Sequence, residues 1–223
     1  MIARSSDGSP PAGRAPRAIG TPFRLTRPTA RELDALLVGQ RHAAFTYPEV
    51  GATRGPDPAG YTVDRNSVRL GTGPRAYARA VDALRNWRMT TLGWASIHPP
   101  RATLAPGTVV AMVVHHFGFW STHACRIVYA VDEVGEGTAG AVHRFGFAYG
   151  TLPVHAASGE ERFEVSWRRT DDSVWYDLHA FSRPRHPLAR IGYPLGRLQQ
   201  RRFGRASKRA MRDAVGDAGL PTR

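Results

Sequence analysis

Helical and extended periodicities succeed one another along this chain, and their order predicts its architecture. Thr29 stands three residues ahead of Glu32, the spacing of a capping box, in which the hydroxyl accepts an early backbone N–H and the carboxylate reaches back to the cap. Leu33, Leu36 and Leu37 follow as one apolar stripe, so a short helix begins here, with Gly39 helping to end it. From Tyr47 to Pro58, three prolines and two glycines predict a loop without regular structure. Tyr61 to Leu70 reads as a strand whose apolar parity changes between Val63 and Val68, which predicts a bulge or a break. Pro74 suits a first helical turn, and Tyr77, Val81, Leu84 and Arg88 repeat at helical spacing, predicting a helix over 74–89.

From Leu92 the period falls to two, and Leu92–His98 is predicted as a strand. Thr108–Phe117 is a nearly continuous apolar run, the pattern of a strand buried on both faces. Within Ala124–Val131, residues Cys125, Ile127, Tyr129 and Val131 share one face. After a Gly-rich turn from Glu133 to Gly140, Phe145, Phe147 and Tyr149 share a face opposite Gly146, Ala148 and Gly150. Phe163, Val165 and Trp167 alternate with Arg162, Glu164 and Ser166, and after an Asp171-Asp172 turn Val174, Tyr176, Leu178 and Ala180 close the sheet. Leu188, Ile191, Leu195 and Leu198 then predict the core-facing stripe of a long helix, with Pro194 kinking it or marking a new first turn. The expected fold class is α+β, a curved antiparallel sheet gripping a long C-terminal helix, with room for an apolar cavity between them. The expected divisions are a disordered leader over 1–22, one domain over 23–216 and a disordered tail over 217–223.

Charge adds a complication. The net charge is +13, but residues 32–182 hold 14 Arg against 15 acids, so the excess lies at the two ends. Basic ends of this kind suit phosphate or anionic lipid, or equally a solvated helix face and a loose leader. Thirty Arg against a single Lys also fits the codon bias of a GC-rich genome. The leader lacks the apolar stretch of a secretory signal, although its Arg-rich, acid-poor make-up leaves a transit peptide open. No apolar run reaches transmembrane length. A single cysteine forbids an internal disulfide, and a cytoplasmic setting is expected.

Five stretches carry a family resemblance: Thr46-Tyr-Pro-Glu-Val-Gly-Ala-Thr53, Ala83-Leu-x-x-Trp-Arg-Met89, Gly146-Phe-Ala-Tyr-Gly-Thr-Leu-Pro153, Ser158-Gly-Glu-Glu-x-Phe163 and Ala180-Phe-Ser-Arg-Pro184. In this order they resemble uncharacterised protein family 0548 of bacteria and plants, from about Arg24 to Val215. The resemblance implies a compact domain related to the START and pollen-allergen helix-grip folds, and it implies no activity. Before Gly-Glu-Glu the family usually reads Pro-Gly-His-Pro-Glu-Ser, where this chain has Pro153-Val-His-Ala-Ala-Ser158. The acid of that loop is missing, so no role for it carries over.

Candidate chemistry is sparse. Cys125 sits mid-strand on an apolar face and reads as core. The nine histidines show no metal-ligand spacing, and adjacent His115 and His116 point to opposite faces of a strand. Glu161 shares strand parity with Phe163, Val165 and Trp167, which aims a carboxylate inward, while Glu160 faces outward with Arg162 and Glu164. If the strand instead begins at Arg162, Glu161 sits in solvent, and the pattern leaves both open. Tyr149, Thr151 and His155 in the preceding turn either form the polar end of an apolar pocket with Glu161 or hold the turn by their own hydrogen bonds. Ser182 and Arg183 lie at the strand-to-helix junction, where Arg183 and Arg126 together suit a carboxylate or phosphate, or Arg183 alone satisfies backbone carbonyls. Gly71-Thr-Gly73 lacks the Gly-Lys-Ser/Thr of a phosphate loop and no Gly-x-Ser-x-Gly occurs, so no catalytic residue, cofactor or metal is assigned.

Three functions follow as expectations. The first is a non-catalytic domain binding a small apolar or amphipathic ligand through Tyr149, Thr151, His155, Glu161, Arg126, Ser182 and Arg183. The second is an enzyme using Glu161 with His155 or Tyr149 as acid/base. The third is an accessory protein docking on nucleic acid or anionic membrane through Arg201, Arg202, Arg205, Lys208, Arg209 and Arg212.

Overall fold

The computed structural model describes residues 20–137 and 140–216, so the expected leader as far as residue 19 and the expected tail lie outside the described residues. The elements are β1 (Phe23–Arg24), α1 (Ala30–Gln40), β2 (Thr62–Thr72), α2 (Gly73–Arg85), β3 (Ala95–His98), β4 (Val109–His115), β5 (Trp120–Gly137), β6 (Gly140–Thr151), β7 (Ala157–Arg168), β8 (Ser173–Pro184), α3 (Pro187–Ile191) and α4 (Tyr193–Gly216). All the strand pairings are antiparallel. The curved sheet runs β2-β8-β7-β6-β5-β4-β3, with β1 joining β5, and α4 crosses its inner face, which is the helix-grip layout the periodicities predict.

Side-chain alternation decides what each face holds. Phe147, Phe163, Val165 and Tyr176 project inward and meet Ala80 and Leu84 of α2 and Met211 and Val215 of α4. On the outer face α1 lays Leu33 and Leu36 against Ala111, Val113, Ala124 and Leu152. β4 is therefore covered on both sides, which accounts for its nearly unbroken apolar run. The capping box of α1 forms as expected: Glu32 N–H donates to the Thr29 hydroxyl, and Thr29 N–H donates to Glu32 at 2.8 Å. α4 is fixed to the sheet where the Tyr176 phenol and the Ser207 hydroxyl meet at 2.7 Å, both buried. Gly204 lies so near Asn66 of β2 that a Cβ there would sit 2.9 Å from its side-chain nitrogen.

Several expectations are corrected. The helix predicted over 74–89 stops at Arg85, because Trp87 takes a left-handed conformation (φ 55) and leads into a short 3-10 turn, Arg88–Thr90. That conformation costs roughly 1 kcal/mol or more. It drives the indole into the core against Phe147, where Nε1 donates to the Ala102 carbonyl at 2.8 Å. The strand predicted from Leu92 begins only at Ala95, with Leu92 joining it by an isolated bridge. The Gly-rich segment from Glu133 is not all turn, since β5 continues to Gly137 and β6 starts at Gly140. In β2 the register runs unshifted from Thr62 to Arg69, so the parity change near Val63 is not a bulge. Val68 faces the inner core, whereas Val63 pairs with Phe181, whose ring packs against Tyr47 and Tyr61 on the outer side. β2 shifts register only further on, at Leu70, and β5 carries a bulge of its own: Ile127 opposes Tyr149 and Tyr129 opposes Ala148, leaving Val128 extra. Cys125 and Ile127 stay in the inner core, and Tyr129 turns outward to meet Thr53 Oγ1 at 2.7 Å.

The largest correction concerns the leucine stripe. Leu188, Ile191, Leu195 and Leu198 are 58, 82, 69 and 57% exposed and do not face the core. Gly192 separates α3 from α4, and Pro194 falls in the first turn of the new helix. The buried face of α4 is made by Gly204, Ser207, Met211 and Val215. One hundred degrees per residue places Leu195 and Leu198 on the opposite face, in phase with Arg202, Arg205, Arg209 and Arg212.

Candidate functional site

Between the N-terminal half of α4 and the sheet lies a cavity of about 420 Å³. It exists because α4 packs apolar side chains against the inner core only from Phe203 onward, while its first turns reach the sheet through polar side chains. Tyr149 of β6, Glu161 of β7 and Leu178 and Ala180 of β8 form the floor, Gly196, Gln199 and Phe203 form the roof, and the exposed Leu195 and Leu198 stand at its rim. Polar bonds tie one side of the roof down. Tyr193 meets Thr62 at 2.8 Å, Arg197 clasps Asp64 with an Nη2–Oδ1 distance of 2.7 Å, and Gln200 donates to Ser182 at 3.0 Å. The other side looks onto the β4–β5 hairpin, which carries His116, Phe117 and Phe119.

Asp64, clasped by Arg197, and Glu161 are both acids of this cavity. β7 begins at Ala157, so the inward parity of Glu161 holds and the alternative start at Arg162 does not. It stands directly across from Tyr149, whose phenol donates to Oε2 at 2.7 Å. Burial pushes the Glu161 carboxyl up to about 7, against the lowering effect of the Tyr149 bond. The same burial holds the Tyr149 phenol and the Cys125 thiol well above their ordinary values, and the charge of Glu161 adds to both. Cys125 is thus an inert core thiol, as its place in the strand predicts.

Three imidazoles converge at the far end, which spacing alone did not signal. His116 Nε2 and His123 Nε2 flank the Ser121 hydroxyl at 2.7 and 2.8 Å, and the His123 ring lies 4.6 Å from that of His155. Burial lowers all three, His155 to about 4 and His123 well below its ordinary value, so they are neutral near pH 7. His155 Nδ1 lies 2.9 Å from the Ala157 nitrogen and 3.0 Å from the Ala157 oxygen, so it accepts from the one or donates to the other according to the tautomer. One hydroxyl proton cannot serve both neighbours of Ser121, so it donates to one imidazole and accepts from the other. His123 Nδ1 is buried and has no partner among the described residues. Among the described residues no cluster of three or more His, Cys, Asp or Glu has the arrangement of a metal site. His115 and His116 do part, His115 stacking on Trp120 and His116 on Phe119.

The remaining candidates divide. Ser182 lines the cavity and is held by Gln200. Thr151 borders it but is engaged structurally, facing Thr46 Oγ1 and accepting from Gly159 N–H at 3.0 Å. Arg126 and Arg183 are not brought together. Arg126 donates to the carbonyls of Gln40 and Arg41 at the end of α1, and Arg183 stacks over Tyr61 at 4.6 Å. No joint anion site arises from them, because β5 and β8 are separated by β6 and β7.

Glu160 departs most from expectation. It does face outward, but it is only 2% exposed. The loop predicted from Tyr47 covers it, forming a 3-10 turn at Ala52–Arg54. Glu160 accepts from the Tyr47 phenol and Gly51 N–H, each at 2.7 Å, and from the N–H and hydroxyl of Thr53. The lack of a side chain at Gly150 leaves room for Tyr47 to reach it. The motifs Thr46–Thr53 and Ser158–Phe163, noted separately in sequence, are the two halves of this latch.

Fold and cavity together define a helix-grip domain with an internal pocket between sheet and terminal helix. The chain belongs to the family described as a domain of unknown function, DUF1990, whose family model matches residues 46–210. A UPF0548 protein of Dictyostelium discoideum is 30% identical over 210 residues, covering 87% of this chain and 96% of its own. A UPF0548 protein of Deinococcus radiodurans is 35% identical over 209 residues, covering 87% of this chain and 99% of its own. The resemblance to family 0548 therefore holds. Among solved structures, that of Ara h 8.0201 superposes with a TM-score of 0.41 at 13% identity, over 68% of this chain and 98% of that one. No helix among the described residues is long and apolar enough to cross a membrane.

Proposed function

We propose that this domain binds a small apolar or amphipathic ligand in the cavity between the sheet and α4. The observation that carries the reading is the cavity itself: about 420 Å³, apolar over most of its wall, with a few polar groups gathered at defined points. That volume lies within the roughly 300–1,000 Å³ of small-molecule sites. The Glu161–Tyr149 pair and the Ser121 hydroxyl between neutral imidazoles supply orientation, and the unpartnered His123 Nδ1 offers a bond to a ligand polar group. Native mass spectrometry of the purified protein tests the reading. A co-purifying small molecule that leaves when Ala180 is replaced by Phe supports it. An empty protein that also takes up no apolar probe rejects it.

A second reading has a specific support. Glu161, its carboxyl pushed up to about 7 by burial, stands beside a phenol at the cavity wall, which suits a general acid or base. His155 belongs to the imidazole cluster, so Tyr149 is the partner of Glu161 in this version. Its test is the titration of Glu161 given in the Discussion.

A further inference from the structure

We infer that the mouth of the cavity is a docking surface for an anionic lipid bilayer. The inference concerns the same cavity as the ligand-binding reading but rests on the outward face of α3 and α4 and not on any occupant. Leu188, Leu195 and Leu198 line the opening and are more than half exposed, Ile191, 82% exposed, follows Leu188 in α3, and Phe117, 90% exposed, rises from the hairpin on the other side. Single exposed leucines need no explanation, but five large apolar groups around one opening form a patch. Cations continue that patch. Between Arg183 and Arg212 the chain holds nine Arg, Lys208 and no acidic residue. Arg185 and Arg190 are exposed on either side of Leu188, and along α4 the line Leu195, Leu198 runs on in phase as Arg202, which stacks over Trp94 at 4.4 Å, and the exposed Arg205, Arg209 and Arg212.

An outward helix face that is apolar at one end and arginine-rich at the other fits the boundary between headgroups and acyl chains. The leucines enter the apolar layer, and the guanidinium groups meet anionic headgroups while their stems lie along it. Charge decides against the other occupants. A symmetric pairing of two copies through this face would set arginine rows against each other. A nucleic acid would satisfy the arginines but leave the leucines and Phe117 against a phosphate backbone, with few aromatic side chains among the arginines for base stacking.

The experiment is co-sedimentation of the full chain with vesicles of phosphatidylcholine alone and of phosphatidylcholine mixed with phosphatidylserine, at low and high salt. Binding is expected to be at least about tenfold tighter to the mixed vesicles and to weaken as salt rises. Leu195→Ser with Leu198→Ser is expected to reduce it about tenfold or more, with unchanged circular dichroism because both positions are exposed. Arg190→Glu with Arg205→Glu is expected to abolish the preference for phosphatidylserine. Absence of binding to either vesicle overturns the inference. So does binding that the leucine substitutions leave unchanged, which would mark a purely ionic contact. Tighter binding to a duplex DNA than to mixed vesicles, or a solution dimer dispersed by the leucine substitutions, assigns the surface to those partners instead. Mass spectrometry of any bound small molecule is read separately. A protein that retains a ligand but ignores vesicles loses only the docking surface, and one that binds vesicles while empty loses only the ligand-binding reading.

Discussion

Tyr149 and Glu161 face each other directly across the β6–β7 pair, and the phenol donates to the carboxylate at 2.7 Å inside the cavity. Because burial outweighs that bond, Glu161 holds its proton up to about 7. A carbon-13 titration of the Glu161 carboxyl is expected to show a midpoint near that value. An ordinary midpoint near about 4.3, with the group in solvent, removes the acid/base reading.

Tyr149→Phe is expected to raise the Glu161 midpoint further, since the bond it removes favours the ionised form. The loss of one bond to a buried carboxylate also destabilises the fold by about 1–3 kcal/mol, read by urea unfolding.

Glu161 and His155 give stability opposite slopes with pH. The folded Glu161 carboxyl, about 7, lies above its unfolded value of about 4.3, so the native state holds more protons between these limits and stability falls as pH rises through them. The folded His155 ring, about 4, lies below its unfolded value of about 6.5, so the unfolded state holds more protons there and stability rises with pH. Each contribution is on the order of 3–4 kcal/mol. Over about pH 4.3 to 6.5, Glu161→Gln is expected to make the slope of stability with pH more positive and His155→Asn to make it less positive, while the depressed His116 and His123 add rises that neither substitution removes; denaturant midpoints across pH read both.

Glu160→Ala is expected to cost about 3 kcal/mol or more, because Tyr47, Gly51 and Thr53 would all lose their acceptor in a buried place. The outer loop should open first, so cleavage between residues 47 and 54 in limited proteolysis should quicken more than global unfolding. Gly150→Ala should mimic it by displacing the Tyr47 phenol.

Much of the sheet was legible because each strand keeps one parity where only one answer buries its aromatics. Phe145, Phe147 and Tyr149 lie together on the inner face, and Glu161 falls in with Phe163 and Val165 for the same reason. Legibility ended where two surfaces compete. The outer face of β6, β7 and β8 is also covered, so polarity placed Glu160 in water when the loop from Tyr47 had sealed it off. The leucines of α3 and α4 have the spacing of a buried face, and spacing does not say which side of a helix meets the sheet. The continuation of the same phase into Arg202, Arg205 and Arg209 was the signal that this face looks outward. The convergence of His116, His123 and His155 depends on the pairing of β4, β5 and the 152–156 turn, which no local spacing encodes.

The extra residue at Val128 makes β5 a strand written in two phases. Ahead of it, odd-numbered positions such as Cys125 and Ile127 line the interior; beyond it, the odd-numbered Tyr129 looks outward. Deleting Ala124, with Val128 drawn into register, would exchange inside for outside from Cys125 to Ile127, carrying the Arg126 guanidinium toward the core and the Cys125 thiol toward α1, whereas deleting Val128 itself would leave both phases in place.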